Sequence, residues 1–267
     1  NRIAVTINKS NYSHHIIKQT GIMNINCLTV DAPFKVFETF GFASGRNVAT
    51  APLSAQDTNN ALYLAAQTFP EIFSVNGKKE IEHGLIHRID TVTEGLILIA
   101  TTQNAYENFI NQQKNNNFTK FYTAICQKNQ NKKEGFPDFP QQNIFYQNEF
   151  KIQSYFRYFG QGRKEVRPVP IESLNKTQQK KVEGTSIYTT NVKIISEKND
   201  TVKVECNITK GFKHQVRCHL AWANLPIKND PIYNKNTNPS EQIAFYASKL
   251  QFLHPITNQI ITFQKDF

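Results

Sequence analysis

The stretch NVKIISEKNDTVKVECNI, residues 191–208, places the strongest constraint on how this chain can fold. Apolar and polar residues alternate on both sides of a polar turn at about Lys198–Asp200, which is typical of two antiparallel strands. Three further stretches have a similar strand-like pattern: FTKFYTAIC at 118–126, AFYASKLQFLHP at 244–255 and QIITFQK at 259–265. These stretches predict a central sheet that is mostly antiparallel or mixed.

Three amphipathic stretches lie between the predicted strands and indicate helices. They are SAQDTNNALYLAAQTF at 54–69, NAYENFINQQK at 104–114 and HQVRCHLAWAN at 214–224. Ser54 and Asp57 approximate a capping box at the start of the first helix, and Pro226 follows the third. The apolar run GLILIA at 95–100 predicts a buried strand. We therefore expect the α+β class, with the sheet flanked by helices and loops.

Composition and charge limit the classes of function. The chain has 267 residues, of which 39% are hydrophobic, so it can bury a core. No apolar run approaches the roughly 20 residues that span a bilayer, and the first residues lack a signal-peptide pattern. The net charge of +10 favours a polyanionic partner, either nucleic acid or an anionic membrane surface. The alternative is a basic cytosolic protein without such a partner.

The four cysteines lie far apart in the sequence and form no CxxC pair. This spacing argues against a disulfide framework or a zinc cluster and predicts a reducing, cytoplasmic location. No heptad repeat or surplus apolar helix face is evident, which favours a monomer.

We expect residues 1–28 to form an arm with a first strand, and residues 29–267 to form a single catalytic domain with a basic, aromatic-rich insertion at about 127–184. Between Lys151 and Lys181 there are eight basic and two acidic residues, which supply more than half of the net charge. Cations interleaved with aromatic rings are typical of a nucleic-acid surface. The alternative is a solvated loop whose rings pack on the core.

Asp90, in HGLIHRIDTVTEGLILIATT at 83–102, has three interpretations. A metal site could use His83 and His87, but the stretch contains Gly84 and lacks the glutamate of an HExxH motif. An aspartate just before a strand often caps a turn, and for Asp90 taken alone this is the default interpretation.

Catalysis is the third interpretation, and two distant residues favour it. Tyr122 supplies a phenol on a predicted strand, and Arg217 supplies a guanidinium that could keep a buried carboxylate ionised and oriented. An ionised, fixed carboxylate beside a phenol can act as a nucleophile or a base.

Three segments resemble the RluA-like family of pseudouridine synthases. HRIDTVTEGLILIATT is similar to the family signature H-R-L-D-x-x-T-S-G-L-L-L-x-A, and KFYTAI is similar to K-x-Y-x-A. HQVRCHLAWANLPIKNDPIY is similar to H-Q-I-R-x-H-L-x-x-x-G-x-P-I-x-G-D-x-x-Y. The three occur in the family's order and cover roughly residues 81–233.

The resemblance implies the pseudouridine synthase fold and the isomerisation of uridine to pseudouridine in ribosomal or transfer RNA, with no cofactor and no metal. It implies that Asp90 is the catalytic carboxylate, attacking C1′ or removing the 2′ proton. Tyr122 would stack near the flipped base and help to remove the C5 proton, and Arg217 would form a salt bridge to Asp90. Arg88 would fill the space that the flipped uridine leaves. The candidate RNA contacts are Arg88, His87, Thr93, Lys120, Lys213, His214, Gln215, Arg157, Arg163 and Lys164.

For Thr93, His214, Gln215 and His219, support of a turn or of helix packing is the alternative role. The sequence also departs from the family pattern. Glu94 replaces the usual serine, and Phe212 and Lys213 replace Arg and Thr of G-R-T-H-Q. We expect a divergent subgroup without the N-terminal S4 domain that some members carry. A catalytically silent RNA-binding protein on the same fold is the alternative function.

Overall fold

This computed structural model describes residues 3–4, 43–44, 60–128, 132–140, 147–172, 182–238 and 240–267. The chain separates into two compact units, the first comprising Asn1–Lys120 with Ala247–Phe267 and the second comprising Phe121–Tyr246. Only two residues of the predicted arm at 1–28 lie within the described ranges. The single catalytic domain at 29–267 stays a prediction, because two compact units can belong to one domain or to two.

The strands, in chain order, are β1 (Ile3–Ala4), β2 (Ala43–Ser44), β3 (Glu94–Gly95), β4 (Ile99–Ala100), β5 (Thr119–Gln127), β6 (Glu149–Phe159), β7 (Glu165–Val169), β8 (Tyr188–Lys198), β9 (Thr201–Ile208), β10 (Phe245–Leu253) and β11 (Ile260–Gln264). The α-helices are α1 (Ala61–Ala66), α2 (Gln103–Lys114) and α3 (Gln215–Trp222). Short 3-10 helices cover Pro70–Ser74, Glu80–Glu82 and Gln161–Arg163.

All three predicted helices are present, and the first ends at Ala66, three residues before the predicted end at Phe69. Asn60 caps α1, and its side-chain oxygen accepts a hydrogen bond from the backbone N–H of Tyr63 at 3.0 Å. The predicted capping box at Ser54 and Asp57 lies outside the described residues. Thr102 caps α2 in the same way. No α-helix within the described ranges is long and apolar enough to cross a membrane.

In the first unit, the apolar run at 95–100 is not the single strand that the sequence predicts. It forms two short strands, because the chain changes partner along the run. β3 pairs with β2, and the next residue, Leu96, donates its N–H to the carbonyl of Ala247 on β10. β4 then pairs with β1. The run is nevertheless fully buried, as predicted.

The core of the first unit lies between α2 and the β10–β11 pair, which is antiparallel. Phe118 and Phe252 stack with their ring centroids 5.6 Å apart, and Phe109 of α2 meets Phe252 edge-on at 5.0 Å. Gln112 exchanges hydrogen bonds with the backbone N–H and C=O of Leu253 at 2.8 and 2.7 Å, which fastens α2 to the end of β10.

In the second unit, the strands follow the order β5-β9-β8-β6-β7. The predicted hairpin at 191–208 is confirmed, with β8 and β9 antiparallel and a turn at Asn199, where φ is 51°. Leu220 and Trp222 on α3 are buried, as are Val202 and Val204 on β9.

The predicted insertion at 127–184 contains a strand pair that the sequence patterns did not indicate. β6 pairs with β8 on one side and with β7 on the other, in antiparallel register. The insertion is therefore partly sheet rather than only loop. With this hairpin added to the β8–β9 and β10–β11 pairs, the α+β class is confirmed.

Candidate active site

Asp90 lies at the start of a turn that joins two hydrogen-bonded segments of the first unit. The N–H of Ile86 donates to the carbonyl of Leu98 at 3.1 Å, and the N–H of Ala100 donates to the carbonyl of Gly84 at 2.7 Å. Within the turn, the N–H of Thr93 donates to the carbonyl of Asp90 at 2.9 Å. The side chain of Asp90 is half-buried. The carboxylate thus sits on a closed turn whose two ends are fixed in the core.

Two further contacts hold the segment before Asp90. A Cβ atom at Gly84 would collide with the carbonyl oxygen of Ala100, so only glycine allows this close approach of the two backbones. The side-chain amide of Gln113 on α2 donates to the carbonyl of Ile86 at 3.0 Å. Both contacts restrict the backbone that leads to Asp90.

His87 is a buried, neutral acceptor. Its Nε2 accepts a hydrogen bond from the N–H of Leu98 at 3.2 Å. Burial, together with the charge of Lys120, lowers the pKa of His87 from 6.5 to about 3. The ring therefore adds one hydrogen bond to the backbone pairing between the segment before the Asp90 turn and the segment after it. Direct contact of His87 with RNA stays a prediction, and its burial favours the supporting role.

Three other candidates of the first unit differ in exposure. Arg88 is exposed, and its Nη1 lies 3.5 Å from Oε1 of Glu82. Thr93 is buried, and its hydroxyl is one of the buried polar atoms of the described residues without a hydrogen-bond partner. Lys120 on β5 is also buried, and burial lowers the pKa of its ammonium group to about 8. Of these three, Arg88 has the exposure that a contact with RNA requires.

Tyr122 is a buried phenol of the second unit. It lies on β5, and its ring stacks on Phe245 with centroids 5.1 Å apart and an interplanar angle of 12°. The stacked pair fixes the plane of the Tyr122 ring.

Arg217 forms a buried, bidentate ion pair with Asp230. Its Nε donates to Oδ2 at 2.8 Å and its Nη2 donates to Oδ1 at 2.9 Å, and both side chains are at most 2% exposed. The Asp230 carboxylate also accepts the backbone N–H groups of Ile232 and Tyr233. Burial raises the pKa of Asp230, but the hydrogen bonds and charge of Arg217 outweigh this effect and hold the pKa below its ordinary value.

This ion pair leaves one edge of the Arg217 guanidinium outside the contact with Asp230. The pair with Asp230 engages one edge of the Arg217 guanidinium, through Nε and Nη2. The predicted salt bridge between Arg217 and Asp90 stays a prediction, since the two residues belong to different units. The role of Asp230 was missed in the sequence, where the only signal is its place in the motif segment 214–233.

His214, Gln215 and His219 hold α3 in place. His214 has left-handed backbone (φ 54°) before the helix, and its Nδ1 lies 3.1 Å from the hydroxyl of Tyr233. Gln215 donates to the carbonyl of Thr189 at 2.9 Å. The two ring nitrogens of His219 meet the hydroxyls of Thr190 and Ser154 at 2.8 and 2.9 Å. All three are buried, which favours their supporting role, and direct RNA contact stays a prediction for His214 and Gln215.

The remaining candidate RNA contacts lie at or near the surface of the second unit. Arg163 and Lys164 are exposed, while Arg157 and Lys213 are partly exposed. Lys213 donates to the backbone carbonyl of Arg163 at 2.8 Å, so these two are brought together. Arg157 lies over the ring of Phe159, on the other face of β6 from Phe156.

The described residues contain no group of three His, Cys, Asp or Glu side chains that could hold a metal ion. The chemical groups that the two units offer are a half-buried carboxylate on a fixed turn, a stacked phenol and a guanidinium locked by a second carboxylate. A carboxylate can act as a nucleophile or a general base, and a fixed aromatic ring can stack with an aromatic substrate.

Comparisons with known proteins identify the family of this chain. Residues 50–222 match the family described as RNA pseudouridylate synthase. The RNA pseudouridine synthase YlyB of Bacillus subtilis (strain 168), itself described as uncharacterized, is 25% identical over 195 residues, which are 73% of this chain and 54% of that protein. Ribosomal large subunit pseudouridine synthase D of Neisseria meningitidis serogroup B (strain ATCC BAA-335 / MC58) is 23% identical over 193 residues, 68% of this chain and 44% of that protein.

The chain thus spans about half the length of these curated relatives. Among solved structures, human RNA pseudouridylate synthase domain containing 1 matches with a TM-score of 0.51 and 17% identity over 68% of each chain. This likeness confirms the predicted fold. Because the family match covers more than half of the chain, the protein belongs to the RNA pseudouridylate synthase family.

Proposed function

We propose that this protein isomerises uridine to pseudouridine in RNA. The observation that carries the proposal is the family match over residues 50–222, a range that contains Asp90 on its fixed turn. In this reaction the N1–C1′ bond breaks and a C5–C1′ bond forms. The proton that C5 loses is balanced by the proton that N1 gains, so the reaction needs no oxidant, reductant or further substrate.

In this proposal Asp90 is the catalytic carboxylate. Its turn is closed by backbone hydrogen bonds and its side chain is half-buried, so it can meet a substrate while its backbone stays fixed. Attack on C1′ and removal of the 2′ proton are both compatible with that position. Tyr122, held flat against Phe245, would stack near the base and help to remove the C5 proton.

Arg217 would orient Asp90 through a salt bridge. Its pair with Asp230 fixes the plane of the guanidinium before any substrate binds, which is the preorganisation that an active-site cation needs. Arg88, which is exposed, would occupy the space left by the uridine when it flips out of the RNA stack, at an unstacking cost of a few kcal/mol.

Ribosomal or transfer RNA is the proposed substrate, and the protein would act as a cytoplasmic monomer. One relative is named as a large-subunit ribosomal enzyme, which makes ribosomal RNA the first substrate to test. The net charge of +10 supports a polyanionic substrate. Buried free thiols at Cys126, Cys206 and Cys218 are compatible with a reducing compartment.

The test is position-by-position mapping of pseudouridine in stable RNAs from a strain that lacks the protein. We expect one or more positions to lose pseudouridine, to regain it with the wild-type protein and not to regain it with Asp90→Ala. If every position keeps its pseudouridine in the deficient strain, the proposal is wrong. RNA binding without any modified position would favour the catalytically silent alternative.

A further inference from the structure

A stack of three rings runs from the core of the second unit to its surface. His219 stacks on Phe156 with centroids 4.8 Å apart, and Phe156 stacks on Phe212 at 5.0 Å with an interplanar angle of 6°. His219 and Phe156 are completely buried, whereas Phe212 is partly exposed. Phe212 therefore ends the stack at the surface.

Two tyrosines flank Phe212. The ring of Tyr158 lies 5.5 Å from it and the ring of Tyr188 lies 5.0 Å from it, and both tyrosines are partly exposed. We call Phe212, Tyr158 and Tyr188 the Phe212 platform. A partly exposed group of three aromatic rings backed by the core is rigid, and it offers faces on which another flat ring can stack.

Cations surround the platform. The guanidinium of Arg163 lies 5.0 Å from the Tyr158 ring centroid, and the ammonium of Lys210 lies 5.7 Å from the Tyr188 centroid. Lys213, next to Phe212 in sequence, donates to the backbone of Arg163. Glu183 is an acidic neighbour of Tyr188. Arg163, Lys210 and Lys213 thus supply three positive charges beside the platform.

We propose that the Phe212 platform binds an unpaired segment of RNA, with a base stacked on Phe212 and phosphates held by Lys210, Lys213 and Arg163. The RNA partner rests on the proposed function. Stacking needs a base whose face is free, and the cations match a phosphate backbone. Phe212 and Lys213 are also the two positions at which this chain departs from G-R-T-H-Q. The departure replaces the arginine with a ring and the threonine with a lysine, so the pair keeps one cation and gains an aromatic ring.

The opposite face of β6 provides matched controls. Side chains alternate along a strand, so Tyr155 points away from the face of Phe156 and Tyr158. Tyr155 lies on the same strand as Tyr158, is also partly exposed and is not part of the platform. Among cations, Lys193 on β8 is exposed and pairs with Glu149 at 3.0 Å.

The first experiment compares the affinity for a short unstructured RNA with the affinity for a duplex of the same sequence, by fluorescence anisotropy. We expect Phe212→Leu to weaken binding of the single strand roughly ten-fold, the effect of losing one base stack, and to leave duplex binding unchanged. Tyr155→Leu should leave both unchanged. Equal affinities for wild type and Phe212→Leu, or an equal loss in Tyr155→Leu, would overturn the proposal.

A second variant does not disturb the stack. Lys210→Gln removes an exposed charge, and we expect it to reduce the slope of log K against log salt for single-stranded RNA by about 0.7, the effect of one lost phosphate contact. Lys193→Gln should keep the wild-type slope. A wild-type slope in Lys210→Gln would contradict the assigned phosphate contact.

Turnover separates this inference from the proposed function. With an RNA that the enzyme modifies, Phe212→Leu should raise KM roughly ten-fold and leave kcat unchanged. If wild type binds single strands through the platform but modifies no RNA, the proposed function fails and the platform stands. If wild type modifies RNA and Phe212→Leu keeps its KM and affinity, the platform fails and the proposed function stands.

Discussion

The position of Asp90 depends on hydrogen bonds made by the residues around it. The sequence predicts a turn residue at this position, and the turn is present, closed by the N–H of Thr93. What periodicity does not predict is the use of His87, whose ring accepts the N–H of Leu98 and continues the pairing toward the turn. A side chain that accepts a hydrogen bond from the backbone in this way leaves no periodic signal, so the sequence did not indicate this role of His87.

The ion pair of Arg217 and Asp230 gives a prediction of stability. Asp230→Asn leaves the Arg217 guanidinium buried without its carboxylate, and removing one partner of a buried pair costs about 3–5 kcal/mol of unfolding free energy. Thermal unfolding followed by circular dichroism measures this loss. Glu241→Gln is the control, because Glu241 also forms an ion pair, with Lys228, but at the surface. The melting temperature of this variant should change little. A wild-type melting temperature for Asp230→Asn would contradict a structural role for the pair.

Two buried histidines predict a dependence of stability on pH. Burial lowers the pKa of His219 to about 3, and His87 has a similarly low pKa. The unfolded rings take up protons below about pH 6.5, whereas the folded rings stay neutral down to about pH 3, so unfolding binds protons in this window. Unfolding free energy should therefore fall as pH falls, by about 1.4 kcal/mol per pH unit for each histidine.

Urea unfolding between pH 6 and pH 4 tests this prediction. His219→Gln keeps groups that can bond to Ser154 and Thr190 but does not titrate, so its unfolding free energy should change less steeply with pH than that of wild type. Parallel pH profiles for the two proteins would show that His219 does not contribute to the slope.

At the scale of elements, the sequence predicted strands with regular alternation and missed those without it. The hairpin β8–β9, helix α2 and the final strands are present as predicted. β6 was missed because Ser154 interrupts its apolar face. That serine is buried and bonds to His219 of a distant helix. β7 contains Pro168, which argues against a strand, but β7 ends the strand order, where proline is tolerated.

Gly95 joins the Asp90 turn to the sheet and gives a prediction at this scale. Its φ is +134°, and a Cβ atom there would collide with the carbonyl of Ala247. Gly95→Ala should therefore lose at least about 2 kcal/mol of unfolding free energy, because backbone strain and overlap add. Gly184→Ala is the control, since Gly184 also has a positive φ but an added Cβ would meet no atom within 4 Å. This variant should lose about 1 kcal/mol of unfolding free energy. Equal losses, measured by thermal unfolding, would show that the contact with Ala247 does not matter.

At the scale of the whole molecule, the family assignment covers residues of both compact units. Asp90 belongs to the first unit, and Tyr122 and Arg217 belong to the second. The sequence pointed to all three through three motifs in the family's order. In the proposed function, modification of RNA requires all three residues. A measurement of that activity therefore tests the three motifs together.

The most direct measurement is the release of tritium from RNA labelled at C5 of uridine, since the proposed reaction removes that proton. We expect the wild-type protein to release tritium from RNA of a strain that lacks it. Asp90→Asn should release none while keeping the fold and the affinity for RNA. Asp200→Asn, at the β8–β9 turn, is the control and should match wild type. Release by Asp90→Asn at the wild-type rate, or no release by wild type, would contradict the assignment of Asp90 as the catalytic carboxylate of an RNA pseudouridine synthase.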